Sequence, residues 1–267
     1  MAFLMNAQAQ LPAPSPTEKI IQDFGLGKII ITYSRPSIKN RTVFMQNSEL
    51  APLGKIWRTG ANAATQITFT DKVNVGGKDL DTGMYVLYTI PGKNQWEIIL
   101  NKGLKNWGTD GYKETEDVVR FKVPVNETKP FVETFTIQVA NIKYQSCDLQ
   151  LSWGNTLVNI RVTTNITDRI RNQIEQALQH DEKKPYWQAA NFYYDWDKNY
   201  DKALDNVNHA IAENQDAYYM YLLRARIEKI QGKKLQAKND AQKCIELATT
   251  AGNDEYIALG NELLKGL

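Results

Sequence analysis

The residues most suited to bind a ligand are concentrated in residues 54–65 of the sequence. Trp57, Arg58 and Asn62 lie there within six positions, beside two glycines and a run of small residues. An indole provides an apolar face, while guanidinium and amide groups donate hydrogen bonds, so together they suit a sugar, a peptide or an anionic small molecule. The same residues can instead support a sharp bend of the backbone. Both interpretations stay open, and for Trp57 we favour packing.

Two segments without strand patterns, residues 34–58 and 102–117, contain the remaining candidates. Irregular segments of this length in a compact β domain often carry binding sites, because a rigid scaffold holds them. They add Arg35, Arg41, Trp107 and Tyr112 to the candidate ligand-binding residues. In the alternative interpretation, which we favour, the aromatic rings close the ends of the domain and the arginines bond to loop carbonyls.

The sequence lacks the common motifs of catalysis and metal binding. It has no glycine-rich phosphate loop, no HExxH and no GxSxG motif, and only two histidines and two cysteines. Cys147 and Cys244 fall in segments assigned below to different domains, which argues against a disulfide and gives no metal-ligand spacing. We therefore predict no metal ion, no cofactor and no catalytic residue.

Acidic residues near Trp107 leave one enzymatic alternative. Asp110, Glu114, Glu116 and Asp117 are candidates for the paired carboxylates of a glycoside hydrolase, which lie ~5–10 Å apart. Acidic residues on loops are solvated more often than they are catalytic. A carbohydrate-active or other hydrolytic enzyme is therefore the second hypothesis, and the balance is against an enzyme.

Composition and charge narrow the class of protein. A chain of 267 residues that is 42% hydrophobic can form two domains. Its 32 basic and 30 acidic residues predict no nucleic-acid partner, and no segment approaches the ~20 apolar residues of a membrane span. Residues 1–16 contain Ala7-Gln8-Ala9, a small-x-small cleavage pattern. We interpret them as the remnant of an export signal, which predicts a periplasmic protein beginning near Gln10 or Leu11; a disordered Pro-rich N-terminus is the alternative.

Residues 17–163 are predicted to form a β domain. From Gly27 to Thr163, short apolar runs alternate with polar residues at period two and are broken by turn signals such as Gly76-Gly77, Pro91-Gly92 and Gly154-Asn155. About nine or ten strands without helical intervals predict an antiparallel β-sandwich, jelly-roll-like in arrangement. A closed barrel is the alternative, because periodicity does not separate the two.

After Thr163 the hydrophobic period changes to that of helices. Residues 164–184 are predicted to form a linking helix that ends near Gln179, and residues 185–267 repeat with a period of 34. The matched positions are Trp187 with Tyr221, Asn191 with Ala225, Ala203 with Ala237, Ala210 with Cys244 and Ile211 with Ile245. This spacing resembles the tetratricopeptide repeat, although Lys198, Arg224 and Glu228 depart from its usual pattern. A helix from Asn253 to Leu264 resembles the capping helix of such repeats.

The β domain also resembles a known family, the domain of unknown function 2911, over residues 17–162. The resemblance rests on residues 31–36 (ITYSRP), 54–62 (GKIWRTGAN), 81–85 (DTGMY), 90–92 (IPG), the 101–108 loop and 151–153 (LSW), which occur in the family's order. It implies an exported or periplasmic protein of a Gram-negative bacterium. The resemblance implies no activity and no site residues.

The first functional hypothesis is therefore a binding or assembly protein of the cell envelope. The β domain would bind a small molecule or glycan, and the helical repeats would contact a protein or peptide partner. Because residues 54–62 carry both the candidate side chains and the strongest family motif, Arg58 and Asn62 are the first residues to mutate.

Overall fold

The computed structural model describes residues 11–267, which divide into two compact units. The first unit ends at Ile166 and the second comprises Thr167–Leu267. Most of the predicted export-signal remnant, including Ala7-Gln8-Ala9, lies outside the described residues.

In the described part, the first unit contains nine strands that form one antiparallel sheet. They are β1 (Thr17–Phe24), β2 (Gly27–Ser34), β3 (Ala61–Phe69), β4 (Val73–Val75), β5 (Lys78–Leu80), β6 (Gly83–Ile90), β7 (Gln95–Asn101), β8 (Asp117–Lys143) and β9 (Ser146–Thr163). Their order across the sheet is β1-β2-β3-β6-β7-β8-β9-β4-β5. The predicted fold class, an antiparallel β domain followed by a helical part, is confirmed.

Strand β8 makes the sheet fold over on itself. Its residues 117–124 pair with β7, whereas its residues from Val125 onward pair with β9. The second half of β8 lies across the core from β2, because the Ile137 amide donates to the Tyr33 hydroxyl at 2.9 Å. Likewise, the Trp57 ring stacks on Trp153 of β9 at 5.6 Å. The two halves of the sheet therefore face each other and enclose one core.

Aromatic side chains fill the centre of this core. Five rings, those of Phe44, Trp57, Trp96, Phe135 and Trp153, contact one another with centroids 4.7 to 6.0 Å apart. Large rings dominate core energetics because each buries ~150–250 Å² of surface. The strand-poor segment that contains Phe44 and Trp57 is thus fixed by its packing against strand residues.

Six α-helices lie in the described part of the chain, all in the second unit. They are α1 (Thr167–His180), α2 (Tyr186–Asp195), α3 (Tyr200–Glu213), α4 (Tyr218–Ile230), α5 (Lys234–Thr250) and α6 (Asp254–Lys265). Helices α2 and α3 pack against each other, as do α4 and α5. Ala203 and Ala237 are fully buried at equivalent positions of α3 and α5, where small side chains allow close approach. None of these helices is long and apolar enough to cross a membrane.

Helix α1, predicted as a linker, packs within the helical unit. Ile174 belongs to the apolar core of that unit. Glu175 accepts hydrogen bonds from Lys202 at 2.9 Å and from the Tyr193 hydroxyl at 3.3 Å. The helical unit therefore comprises two helical hairpins with one further helix before them and one after them.

Candidate functional site

The loop between β7 and β8 is held at its base by one buried side chain. The Asn101 oxygen accepts from the Gly103 amide at 2.7 Å. Its Nδ2 donates to the Lys113 carbonyl at 3.0 Å and to Asp117 Oδ1 at 2.8 Å. Because Asn101 is fully buried, these bonds form away from competing water and fix both ends of the loop.

Tyr112 forms a second anchor for the same loop. Its ring packs edge-on against Tyr88 of β6 at 5.2 Å. Its hydroxyl donates to Asp117 Oδ2 at 2.9 Å and accepts from Arg120 Nη2 at 2.6 Å. Burial, and then the hydrogen bond to Asp117, raise the pKa of Tyr112 to about 12. The hydroxyl therefore stays protonated at physiological pH and keeps both bonds.

The acidic residues that the sequence proposed for hydrolysis are distributed around this anchor. Asp117 is bonded to Arg120 at 2.8 Å, and the same guanidinium bonds to Glu97 at 3.0 Å. Glu116 lies 3.6 Å from Lys113, and the Glu114 side chain is largely exposed. Asp117 and Glu97 thus form ion pairs with Arg120, which also donates to the Tyr112 hydroxyl and so connects the loop to the sheet.

Trp107 is presented to solvent at the tip of the loop, where 64% of the residue is exposed. A tight turn holds this tip, since the Asp110 amide donates to the Trp107 carbonyl at 3.0 Å. Gly108 has a φ of +62° and lies directly against Arg58, so that a Cβ there would fall 2.8 Å from Arg58 Nη1. The Arg58 guanidinium therefore contacts the turn that carries Trp107.

Trp57 and Asn62, by contrast, stabilise the turn that contains them. Trp57 is 3% exposed, and its Nε1 donates to the Gly60 carbonyl at 3.2 Å. Asn62 adopts a φ of +58° and donates to the Ser34 hydroxyl at 3.2 Å. Arg58 donates to the Asn62 carbonyl at 3.0 Å. Trp57 is a core residue with no face for a ligand, and Asn62 serves the backbone bend.

Arg35 and Arg41 bond to other parts of the β unit. Arg35 donates to the Phe135 carbonyl at 3.2 Å and to Thr136 Oγ1 at 2.7 Å. Arg41 donates to the carbonyls of Ile38 and Ser37. Of the seven candidate residues, Trp107 and Tyr112 lie on one loop, and Arg58 contacts that loop at Gly108. Trp57, Asn62, Arg35 and Arg41 pack in the core or bond to neighbouring backbone and side chains.

The anchoring residues Asn101, Glu97 and Arg120 were not among the candidates. A polar residue at the end of an apolar strand, followed by glycine two positions later, is the signal that identifies Asn101. Glu97 and Arg120 alternate with apolar residues, as polar residues do in any strand with one face in solvent. Their ion pair could not be predicted without the β7–β8 register.

A depression of about 530 Å³ lies next to the start of the loop. Met84 and Leu104 give it apolar walls, and both are more than 40% exposed. Lys78 and Lys102 lie at the same depression. The exposed apolar surface of the loop therefore includes Leu104 as well as the tip.

The two cysteines are buried and unpaired, Cys147 in β9 and Cys244 in α5. Burial raises the pKa of each thiol to about 11. In residues 11–267, no group of three or more His, Cys, Asp or Glu side chains is arranged to hold a metal ion.

The helical unit has a separate pocket of about 530 Å³ at the start of α2. Its lining includes Lys183, Lys184, Tyr186, Trp187, Glu213 and Met220. Tyr186 stacks on His209 at 4.7 Å, and Trp187 packs against Tyr219 at 5.0 Å. The aromatic residues of this pocket are thus held by neighbouring helices.

These features define a two-part protein, in which an antiparallel β domain with an anchored, indole-bearing loop precedes a unit of helical hairpins. The chain belongs to the family described as protein of unknown function DUF2911, whose model matches residues 15–162. Comparison with curated proteins and with solved structures gave no match.

Proposed function

We propose that the protein is a non-catalytic binding protein of the cell envelope, whose β domain binds a glycan through Trp107 and Arg58. The observation that carries the proposal is the position of Trp107, an exposed indole at the tip of a loop that the buried Asn101 and the half-buried Tyr112 fix to the sheet. An exposed ring on an anchored loop suits the apolar face of a sugar, because little backbone conformational entropy is lost on binding.

Arg58 supplies the polar part of this surface. Its Nη1 bonds to the Asn62 carbonyl, and a guanidinium has five N–H donors in all. The contact with Gly108 places these donors beside the turn that carries Trp107. Hydroxyl oxygens of a sugar stacked on the indole would accept from them.

The test is binding of an oligosaccharide panel to the full chain, measured by calorimetry. Trp107→Ala should weaken the affinity for the glycan by about tenfold or more, and Arg58→Ala should weaken it by a smaller factor. Phe131→Ala is the matched control, since Phe131 is also an exposed aromatic residue of the β unit, 56% exposed. Unchanged binding in Trp107→Ala, or no binding by any glycan, would remove the proposal.

The hydrolytic alternative has less support than binding. Asp117 and Glu97 are bonded to one arginine, and Asp117 also accepts from Tyr112 and Asn101. Carboxylates engaged in this way serve the anchor of the loop. Hydrolysis of a bound glycan that disappears in Asp117→Asn but persists in Trp107→Ala would restore the alternative.

The helical unit is proposed to contact a protein or peptide, in the manner of tetratricopeptide repeats. Helices α3 and α5 begin 34 residues apart, at Tyr200 and Lys234, and the α2 pocket combines lysines with fixed aromatic rings. An acidic peptide library bound to the full chain tests this idea. Binding should be lost in Lys183→Glu/Lys184→Glu and kept in the surface control Lys238→Glu.

The envelope location is also a proposal, supported by the Ala7-Gln8-Ala9 pattern and by the family resemblance. Mass spectrometry of the N-terminus of protein recovered from a periplasmic fraction tests it. We expect a chain that begins at Gln10 or Leu11. A cytoplasmic protein that retains residues 1–9 would contradict the export proposal without affecting glycan binding.

A further inference from the structure

Strand β1 forms a long, regular edge of the sheet. Its eight residues pair one-to-one with β2, from Thr17 opposite Ser34 to Phe24 opposite Gly27. The Arg35 amide donates to the Pro16 carbonyl at 2.9 Å. In an antiparallel pair the hydrogen-bonded positions alternate, so this bond fixes the even-numbered residues of β1 as those that bond to β2.

The odd-numbered residues of β1 therefore direct their backbone groups away from the sheet. Those of Lys19 and Ile21 have no hydrogen-bond partner in residues 11–267, and the Asp23 carbonyl accepts only from the adjacent Gln22 side chain, at 3.0 Å. The opposite edge, β5, is only three residues long. Of the two edges, β1 is the one that offers a template for a further strand.

The exposed side chains of β1 are complementary to themselves. Lys19, Ile21 and Asp23 are all exposed on the face of the strand that points away from the core, with Ile21 58% exposed. A two-fold axis through Ile21 would place each Lys19 opposite the partner's Asp23, and Ile21 opposite its own copy. Cross-strand pairs of opposite charge and of β-branched residues stabilise antiparallel strands.

We propose that β1 is a self-association edge, on which a second copy of this chain pairs antiparallel about Ile21. Charged side chains on an edge strand normally prevent pairing with another strand. Here Lys19 and Asp23 lie symmetrically about Ile21, so their charges favour pairing with an identical antiparallel strand. Asp23 already bonds to Lys28 of β2, and its second oxygen remains for the partner's Lys19. One pair of strands buries less than the ~1,200 Å² typical of stable complexes, so we expect a reversible dimer with Kd of roughly tens of micromolar.

Charge reversal tests the register directly. The full chain is studied by sedimentation velocity from about 1 to about 500 µM at low salt. Lys19→Glu alone should weaken the dimer by about tenfold, because the introduced glutamate faces the partner's Asp23. Asp23→Lys alone should weaken it similarly, because two lysines then face each other. An equimolar mixture of the two variants should dimerise again, since both cross-strand pairs regain opposite charges.

Two further measurements test whether a variant is misfolded and whether the dimer forms through another surface. Lys78→Glu, on the opposite edge, is the matched control and should dimerise like the unmodified chain. Ile21→Cys should form an intermolecular disulfide on mild oxidation, because paired Cα atoms lie ~5.5 Å apart, whereas Ile142→Cys at the β8–β9 hairpin should not. A monomer at every concentration, a dimer insensitive to Lys19→Glu, a mixture that stays monomeric, or no Ile21→Cys cross-link would each overturn the proposal.

Discussion

Glu228 of α4 is a buried acid that lacks a cation of its own. It is 7% exposed, and its Oε2 has no hydrogen-bond partner in the described residues. Arg224, one turn earlier, is bonded through Nε and Nη2 to Asp240 of α5. Burial, and then the charge of Asp240, raise the pKa of Glu228 to about 7, while Arg224 and Lys233 oppose the rise. Near neutral pH the carboxyl therefore changes its protonation.

This pKa makes the stability of the helical unit depend on pH. Because the pKa in the folded state is above that of the unfolded chain, the contribution of protonated Glu228 is complete below about pH 4.5 and is lost as pH rises through about 7. We expect a loss on the order of 2 kcal/mol between about pH 5 and about pH 8. Glu228→Gln, which keeps the shape of the protonated acid, should abolish most of this slope in thermal melts.

The control for that measurement is Glu246→Gln, because Glu246 is exposed and forms an ion pair with Lys243 at 2.9 Å on the surface of α5. Its melting temperature should keep the pH dependence of the unmodified protein. An equal slope in Glu228→Gln would show that another group is responsible.

The two loop tryptophans of the β unit should respond oppositely to truncation. Trp57→Ala removes a ring that contacts four other aromatic residues, so we expect a loss of about 3–5 kcal/mol in the free energy of unfolding. Trp107→Ala removes an exposed ring and should change it by less than about 0.5 kcal/mol. Urea denaturation of both variants measures the contrast; equal losses would place Trp107 in the core.

The sequence identified both tryptophans as candidates, and packing was the preferred interpretation for Trp57. It could not determine which indole is buried, because that depends on a long-range contact: Trp57 pairs with Thr89 through two backbone hydrogen bonds of 2.7 and 3.0 Å. The exposure of Trp107 follows instead from its place in a local turn, in which its carbonyl accepts from the Asp110 amide.

The hairpin of β4 and β5 depends on one glycine. Gly76 has a φ of +61°, and a Cβ there would lie 2.2 Å from the Phe121 ring of β8. Gly77, with a φ of +81°, faces open space. Gly77→Ala should cost about 1 kcal/mol of backbone strain, whereas Gly76→Ala adds a clash and should cost about 3 kcal/mol or more. Chemical denaturation of the two variants separates strain from clash, and equal costs would contradict the close contact with Phe121.

At the scale of elements, local patterns located most strands but not their pairing. Alternation predicted the strands that became β2 and β7, and a continuous apolar run predicted the strand that became β6. The alternation divided β8 into runs around Val119 and Phe135, whereas the structure has one strand with irregular register between Glu127 and Thr136. The predicted turn at Gly154-Asn155 was also wrong, because β9 continues through these residues from Ser146 to Thr163. The alternation also missed β1, whose Ile20 and Ile21 are adjacent and interrupt the alternation. The pairing of β4 with β9 joins distant residues, and no local pattern contains it.

Residues 11–267 contain two large apolar cores with no residue in common, beside a smaller cluster in the β unit that comprises Ala64, Val86, Tyr88 and Ile99. One is built from the strands and the other from the helices. A truncation such as Ile160→Ala, which removes a buried residue of β9, should lower the stability of the β unit by about 2–4 kcal/mol. The helical transition, followed by far-ultraviolet circular dichroism, should keep its midpoint. An equal shift of both transitions would show that the units unfold together.

The two buried thiols can report separately on the unfolding of each unit. Cys147 lies in the core of the β unit and Cys244 in that of the helical unit, and alkylating reagents require an accessible thiolate. Each thiol should therefore resist modification until its own unit opens. Pulsed alkylation followed by peptide mass spectrometry would then time the opening of each unit separately, in the unmodified chain and without an introduced probe.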